Sequence, residues 1–361
     1  MRNIGLIFCA VVVCAASHAA EKRPPEGGRY ERRARAENWP SEGDVGLQQA
    51  AEYKRAIRYV TDETGRRVAI PLRIRNIVTL APNLTETVYA LGLGERLAGD
   101  TTFCDSPPAA KEKPHVGAPQ NPSLEAIVAL HPDLVLATTS INSPQTVEAL
   151  AAVGIAVYTS DPHTVRGMLE SIAHMADLMG ASEQGAALAA QLQARLDALH
   201  ARLAELPLAH VLFVVWEDPL ITIGPGTFIA DALRWAGAES VIVSKQNWPQ
   251  VSIEEIVRLQ PEYIVLTSNH EESSAALQIA DLRARPAWKG LRAVELGHVA
   301  VVGEEVTRPS PGLIDAIEQL AHQLHPEAFT ENMEQHEQRR ARGARFVASS
   351  AVGKDCAACA R

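Results

Sequence analysis

The chain has 361 residues, enough for two domains of common size, each with its own core. Its 47% hydrophobic and 21% charged residues are those of a globular protein. A formal net charge of −9 with no concentrated basic face excludes nucleic acid or an anionic lipid surface as the main partner.

Residues 1–19 read as a secretory signal: one positive charge, an apolar run too short for a bilayer span, and small residues Ser17 and Ala19 before the cut. Residues 20–57, rich in Arg, Glu, Pro and Gly, read as a partly disordered linker. The stretch RYVTDETGRRVAIPL, residues 58–72, alternates apolar and polar residues around Glu63-Thr64-Gly65, as a β-hairpin would. From Ile74 onward, short apolar runs (IRNIVTLAP, LVLATTS, AVYTSD) alternate with helix-length segments. That is βαβ logic, which gives a mostly parallel sheet, so residues 58–178 are expected to form an N-terminal α/β lobe led by the hairpin.

Beyond a break at Gly180, the segment contains neither Gly nor Pro from Ala186 to Leu206 and predicts one long connecting helix within 179–207. The strand pattern restarts at AHVLFVVW (209–216) and continues through TFIADALRWAGAESVI, two short apolar runs in AVELGHVAVVG, and a closing helix in PGLIDAIEQLAHQL. Residues 208–329 thus form a second α/β lobe, followed by a polar tail, 330–361. Cys356 and Cys359 make a CxxC there, a poor zinc site without histidine partners. The fold class is α/β: two Rossmann-like lobes with mostly parallel sheets joined by a single backbone helix.

One motif occurs twice. SLEAIVALHPDLVL, residues 123–136, returns as SIEEIVRLQPEYIV, residues 252–265, at a constant offset of 129. It supplies one helix and one strand to each lobe. Glu125 and Glu254 fall in the first helical turn, two residues after a serine able to cap it. Taken singly, each acid complements a helix dipole; taken together, they form a matched pair suited to a two-fold symmetric partner.

Other candidates lie in loops. In APNLTETVYALGLGERLAG, Asn83 and Glu86 have capping-box spacing, and Pro82 ends a strand where open α/β sheets bind ligands. TTFCDSPP, residues 101–108, is either a stiff loop in which Asp105 satisfies its own turn, or one that sets Phe103 against an apolar ligand with Asp105 orienting it. Trp248 in QNWPQVS and Trp216 at a strand end offer rigid aromatic surface, and Arg308 in EEVTRPSPGL a fixed polar contact. The histidines are scattered, and His322 and His325 alone have ligand-like spacing, so no metal site is assigned. Cys104 has no recognisable base partner, and P-loop, Gly-x-Ser-x-Gly and His-Glu-x-x-His motifs are absent, so no catalytic residue is assigned.

TDETGRRVAIP, then RIRNIVTLAPNLTETVYALGLGERLAGDTTFCDSPP, then SLEAIVALHPDLVLA resemble, in order and spacing, the substrate-binding proteins of iron-siderophore, haem and cobalamin ABC importers. The resemblance spans residues 58–327. It implies a monomeric, non-enzymatic periplasmic protein with ligand in a cleft between the lobes and limited closure. It also implies that Glu125 and Glu254 pair with arginines on an inner-membrane ABC permease dimer. CDSPP and WPQVSIEE look most like the cobalamin-binding branch, which implies that Phe103 and Trp248 contact the corrin, that Arg308 lies at the far rim, and that cobalamin is transported cargo, with no cofactor. The alternatives are the same role for a ferric siderophore or haem, and, from another class, a secreted enzyme using Cys104 or an acid pair.

Overall fold

The alternating stretch at the start of the first lobe forms a hairpin: β1 (Ile57–Thr61) pairs antiparallel with β2 (Arg67–Pro71), with Gly65 at φ 86° in the turn. This computed structural model describes residues 56–268 and 275–329. The expected signal segment, nearly all of the linker, and the tail with Cys356 and Cys359 lie outside them. The chain divides into two units, one ending at Ala189 and the other beginning at Ala190.

The hairpin turn is organised by Asp62, which is 4% exposed. Its carboxylate accepts from the Thr64 hydroxyl (2.7 Å), the Arg66 backbone N–H (2.8 Å) and the Arg66 guanidinium (2.7 Å). Thus oriented, Arg66 donates to the Val157 carbonyl at 3.1 Å, and the Glu63 N–H donates to the Thr159 carbonyl at 3.1 Å.

Next come β3 (Ile77–Thr79), α1 (Pro82–Ala90), β4 (Leu97–Gly99), a small ladder of β5 (Gly117–Ala118) with β6 (Asn121–Pro122), α2 (Leu124–Ala129), β7 (Leu134–Thr138), α3 (Pro144–Ala152) and β8 (Val157–Ser160). The main sheet is wholly parallel in the order β4-β3-β7-β8, with Ile77 opposite Leu134 and Val78 opposite Val135. Every residue of β7 is buried, which explains its unbroken apolar sequence: a parallel strand covered on both faces has no solvent side to mark.

Two helices follow, α4 (Val165–Leu178) and α5 (Ser182–Leu203), separated by Gly180 at φ 71°. The second is 22 residues long, about 33 Å at 1.5 Å per residue, and the division between the units falls within it.

The second unit continues with β9 (Ala209–Phe213), a tight pair of β10 (Trp216–Glu217) and β11 (Leu220–Ile221), α6 (Phe228–Trp235), β12 (Ala238–Ser240), α7 (Ile253–Leu259), β13 (Tyr263–Ser268), α8 (Ala275–Ala284), α9 (Arg292–Leu296), β14 (Val299–Gly303) and α10 (Leu313–Leu324). Its sheet is parallel in the order β12-β9-β13-β14. Counting main-sheet strands along the chain, both units are ordered second, first, third, fourth, and the repeated motif is the helix leading into the third strand each time. The first half of AVELGHVAVVG, expected as an extended run, is instead the short helix α9, ended by Gly297 at φ 74°. A run of a few apolar residues fits either period, so pattern alone does not separate a short helix from a strand.

The duplication reaches backbone conformation. His131 and Gln260, at matching positions before a proline, adopt φ 47° and φ 49°. Ile127 and Ile256, also matched, are both 0% exposed in the cores of their respective units. Ser123, Ser143, Thr164, Thr227 and Ser252 each accept a hydrogen bond from the N–H three residues on, so the αβ rhythm is enforced by side-chain caps at five helix starts. Truncating either core isoleucine, Ile127→Ala or Ile256→Ala, is expected to cost about 2–5 kcal/mol of unfolding free energy, read from denaturant midpoints.

Candidate functional site

Open parallel sheets bind ligands outside the carboxyl ends of their strands, where crossovers leave in opposite directions. In the strand order found here, those points are β3/β7 in the first unit and β9/β13 in the second.

In the first unit Asn142, 6% exposed, fastens that point. Its amide donates to the Leu80 carbonyl at 2.8 Å and the Pro119 carbonyl at 2.9 Å, and its oxygen accepts from the Thr138 N–H at 2.8 Å. Pro82 opens α1 directly after β3, with Ala81 as an extended N-cap that makes no side-chain cap bond. Asn83 is therefore not the N-cap expected of it: it sits inside the first turn, 4% exposed. Proline fixes φ and lacks an N–H, so it takes the first helical position and moves the boundary one residue upstream of Asn83.

The loop after β4 is anchored from below. Asp100, with a fully buried carboxylate, meets His115 Nδ1 at 2.7 Å, while the Thr102 N–H donates to the Gly117 carbonyl at 3.0 Å. Cys104 points inward, its sulfur accepting from the Thr85 hydroxyl at 3.1 Å. Burial pushes this thiol up, with hydrogen bonds from Thr101 and Thr85 opposing, so it stays protonated at neutral pH, the opposite of an activated nucleophile. Phe103, 39% exposed, and Asp105, exposed, are thereby presented on either side of a fixed residue.

The Trp248 loop of the second unit is pinned by its backbone. Thr222 N–H donates to the Pro249 carbonyl (3.1 Å), Val251 N–H to the Leu220 carbonyl (3.0 Å) and Gly224 N–H to the Asn247 carbonyl (2.8 Å). Gly224 permits this approach, since a Cβ there would lie 1.9 Å from the Gln246 carbonyl oxygen. Trp248 is half-buried. Trp216, expected to end a long strand, instead opens the β10–β11 turn: β9 stops at Phe213. Its indole N–H donates to the Asp218 carbonyl at 2.7 Å, which holds the ring in place. Arg308 is half-buried and meets Glu304 at 3.5 Å.

Beyond the carboxyl ends of β9 and β13 lies a cavity of about 700 Å³ within the second unit, walled by residues including Val214, Trp216, Leu266 and Thr267. Sequence reasoning missed its polar members, Glu217, Asp218, Gln278 and Asp281. The α8 members stand some 60 positions from Glu217 in the chain, and nothing local to either segment announces the other.

Glu125 and Glu254 are exposed at the starts of α2 and α7, each beside a capping serine. Hydrogen bonds from its own backbone N–H and from Ser252 hold Glu254 below the usual carboxylate range. His325 spends its Nε2 on the Gly237 carbonyl at 2.8 Å, and His322 stacks on Phe329. Among the described residues no group of three His, Cys, Asp or Glu side chains is placed to hold a metal ion, and no helix is long and apolar enough to cross a membrane.

Against known proteins, residues 77–306 match the family model described as periplasmic binding protein, and the chain belongs to that family. It is 30% identical over 260 residues to the vitamin B12-binding protein of Vibrio cholerae serotype O1, covering 71% of this chain and 91% of the relative. The crystal structure of the periplasmic vitamin B12 binding protein of Vibrio cholerae aligns with a TM-score of 0.62 at 29% identity, over 70% of this chain and 96% of that one. A periplasmic haem-binding protein solved with two haems aligns with a TM-score of 0.62 at 27% identity, over 70% and 99%. These relatives are binding proteins rather than enzymes, and the present chain is of that kind.

Burial raises the Asp100 carboxyl from 3.8 to about 6, with the His115 hydrogen bond, His115 charge and Lys113 opposing. A group raised on folding contributes stability that is fully present below pH 3.8 and is lost as pH rises through about 6. Asp100→Asn is therefore expected to flatten the fall in stability across that window, measured as urea midpoints at a series of pH values.

Proposed function

We propose that this protein is the periplasmic solute-binding component of an ABC importer, that it captures cobalamin or a related corrinoid, and that it delivers this cargo to an inner-membrane permease dimer. The likeness to the vitamin B12-binding relatives carries the reading, because it extends over nearly their whole length. Residues 1–19 direct the chain to the periplasm, where it acts as a monomer, and the corrin is cargo rather than cofactor.

The residues proposed for cargo are Pro82, Asn83, Phe103 and Asp105 in the first unit and Trp216, Trp248 and Arg308 in the second. Aromatic rings supply broad apolar contact at small entropic cost, and a few polar groups set orientation. The exposed Phe103, held above a buried Cys104, and the backbone-pinned Trp248 support this assignment. Half-buried Pro82 contributes surface, with buried Asn83 beside it, after the end of β3, where this class of sheet binds ligands.

Glu125 and Glu254 are proposed as the permease contacts. Identical placement on matched helices is what a two-fold symmetric partner requires. Haem is the second reading, favoured by the likeness to the haem-bound structure described above.

The deciding experiment is the visible spectrum of purified mature protein after mixing with cyanocobalamin and desalting, with haemin and a ferric siderophore in parallel. Retained corrin bands at equimolar ratio are expected; retention of the iron ligand alone would overturn the cargo. Trp248→Ala should weaken cyanocobalamin binding by about 2 kcal/mol, roughly thirtyfold in Kd, with the thermal midpoint unchanged. The double variant Glu125→Ala with Glu254→Ala should keep full cargo affinity and lose cobalamin-dependent uptake in cells; normal uptake would remove the docking role.

A further inference from the structure

The cavity at the β9/β13 switch point has an uneven chemical lining. Its apolar wall is Val214, Trp216 and Leu266, and its charged residues are Glu217, Asp218 and Asp281, with no Lys or Arg among the described residues that line it. Gln278 adds a side-chain oxygen that is buried and has no hydrogen-bond partner among the described residues. Arg285, just outside, is shared between Glu217, at 2.5 Å, and Asp281. One guanidinium thus stands against three carboxylates, and the polar capacity of the cavity is mostly for accepting hydrogen bonds.

We infer that this cavity selects cargo whose facing edge carries neutral carboxamide groups and rejects cargo that presents carboxylates there. The inference rests on the corrinoid reading above and adds the rule by which the site tells corrinoids from other macrocycles. A primary carboxamide donates two N–H groups, which satisfy Gln278 Oε1 and a neighbouring carboxylate. A carboxylate in the same place donates nothing, leaves the buried oxygen unpaired and meets like charge. The penalty falls on the wrong ligand, and such asymmetric rejection discriminates more strongly than an added attraction does. The rim of a corrin carries primary carboxamides, whereas haem carries propionates at its edge and many ferric siderophores are anionic.

The test uses the intact mature protein at neutral pH. Affinities are measured for cyanocobalamin and for its separated monocarboxylic acids, in each of which one peripheral carboxamide has been hydrolysed. At least one acid isomer is expected to bind about fivefold or more weakly than cyanocobalamin, and the gap should shrink as salt is raised. In Asp218→Asn with Asp281→Asn, which leaves the Glu217–Arg285 pair in place, the same gap should narrow at least about threefold. Equal affinity for every acid isomer, or a gap that survives the double variant and high salt unchanged, would overturn the rule while leaving the corrinoid reading intact. Failure to retain cyanocobalamin alongside retention of haemin would overturn both.

Discussion

Burial of each parallel sheet on both faces is the constraint from which the other features follow. The hydrogen-bonding groups of a central strand such as β7 are consumed by its neighbours, and its side chains are closed in by helices. Chemistry can then gather only at the carboxyl ends of the strands, where the chain leaves the sheet. Both units obey this with the same strand order and furnish the end differently. In the first, Asn142 ties the ends of β3 and β7 into a closed polar knot. In the second, the corresponding point opens into a cavity flanked by Trp216.

The loops that carry the candidate contacts are irregular without being loose. Inward groups such as Cys104 and the Asp100–His115 pair hold the 100–108 loop, and backbone bonds around Gly224 hold the loop of Trp248. A loop already fixed in its binding shape spares the ordering entropy that a ligand would otherwise have to offset. Small residues are as necessary here as aromatic ones, because Gly224 determines how closely the tryptophan loop approaches.

Much of the fold was legible because its signals are local and repeated. Near-continuous apolar runs marked the strands, Gly180 marked the helix break, and the offset repeat announced two units of one design. The sequence misled where two local rules competed. Asn83 has the right spacing to Glu86, but Pro82 occupies the helix start. AHVLFVVW reads as one strand because apolar character alone cannot show that β9 ends at Phe213 and that Trp216 begins a turn. The candidate site was half legible. Exposed aromatics beside prolines stand out in a sequence, whereas Asp100 with His115, or Glu217 with Asp281 and Gln278, are brought together only by tertiary packing.

The hairpin has a consequence for how this molecule keeps to itself. β8 is the outer strand of the first sheet, and the carbonyls of Val157 and Thr159 are the groups an edge of this kind would offer to another chain. Arg66 and the Glu63 N–H occupy both, so the hairpin tip serves as a cap against intermolecular strand addition. The cover also contributes to the core, since Ile70 of β2 is 0% exposed, so one short hairpin both fills the interior and closes the edge.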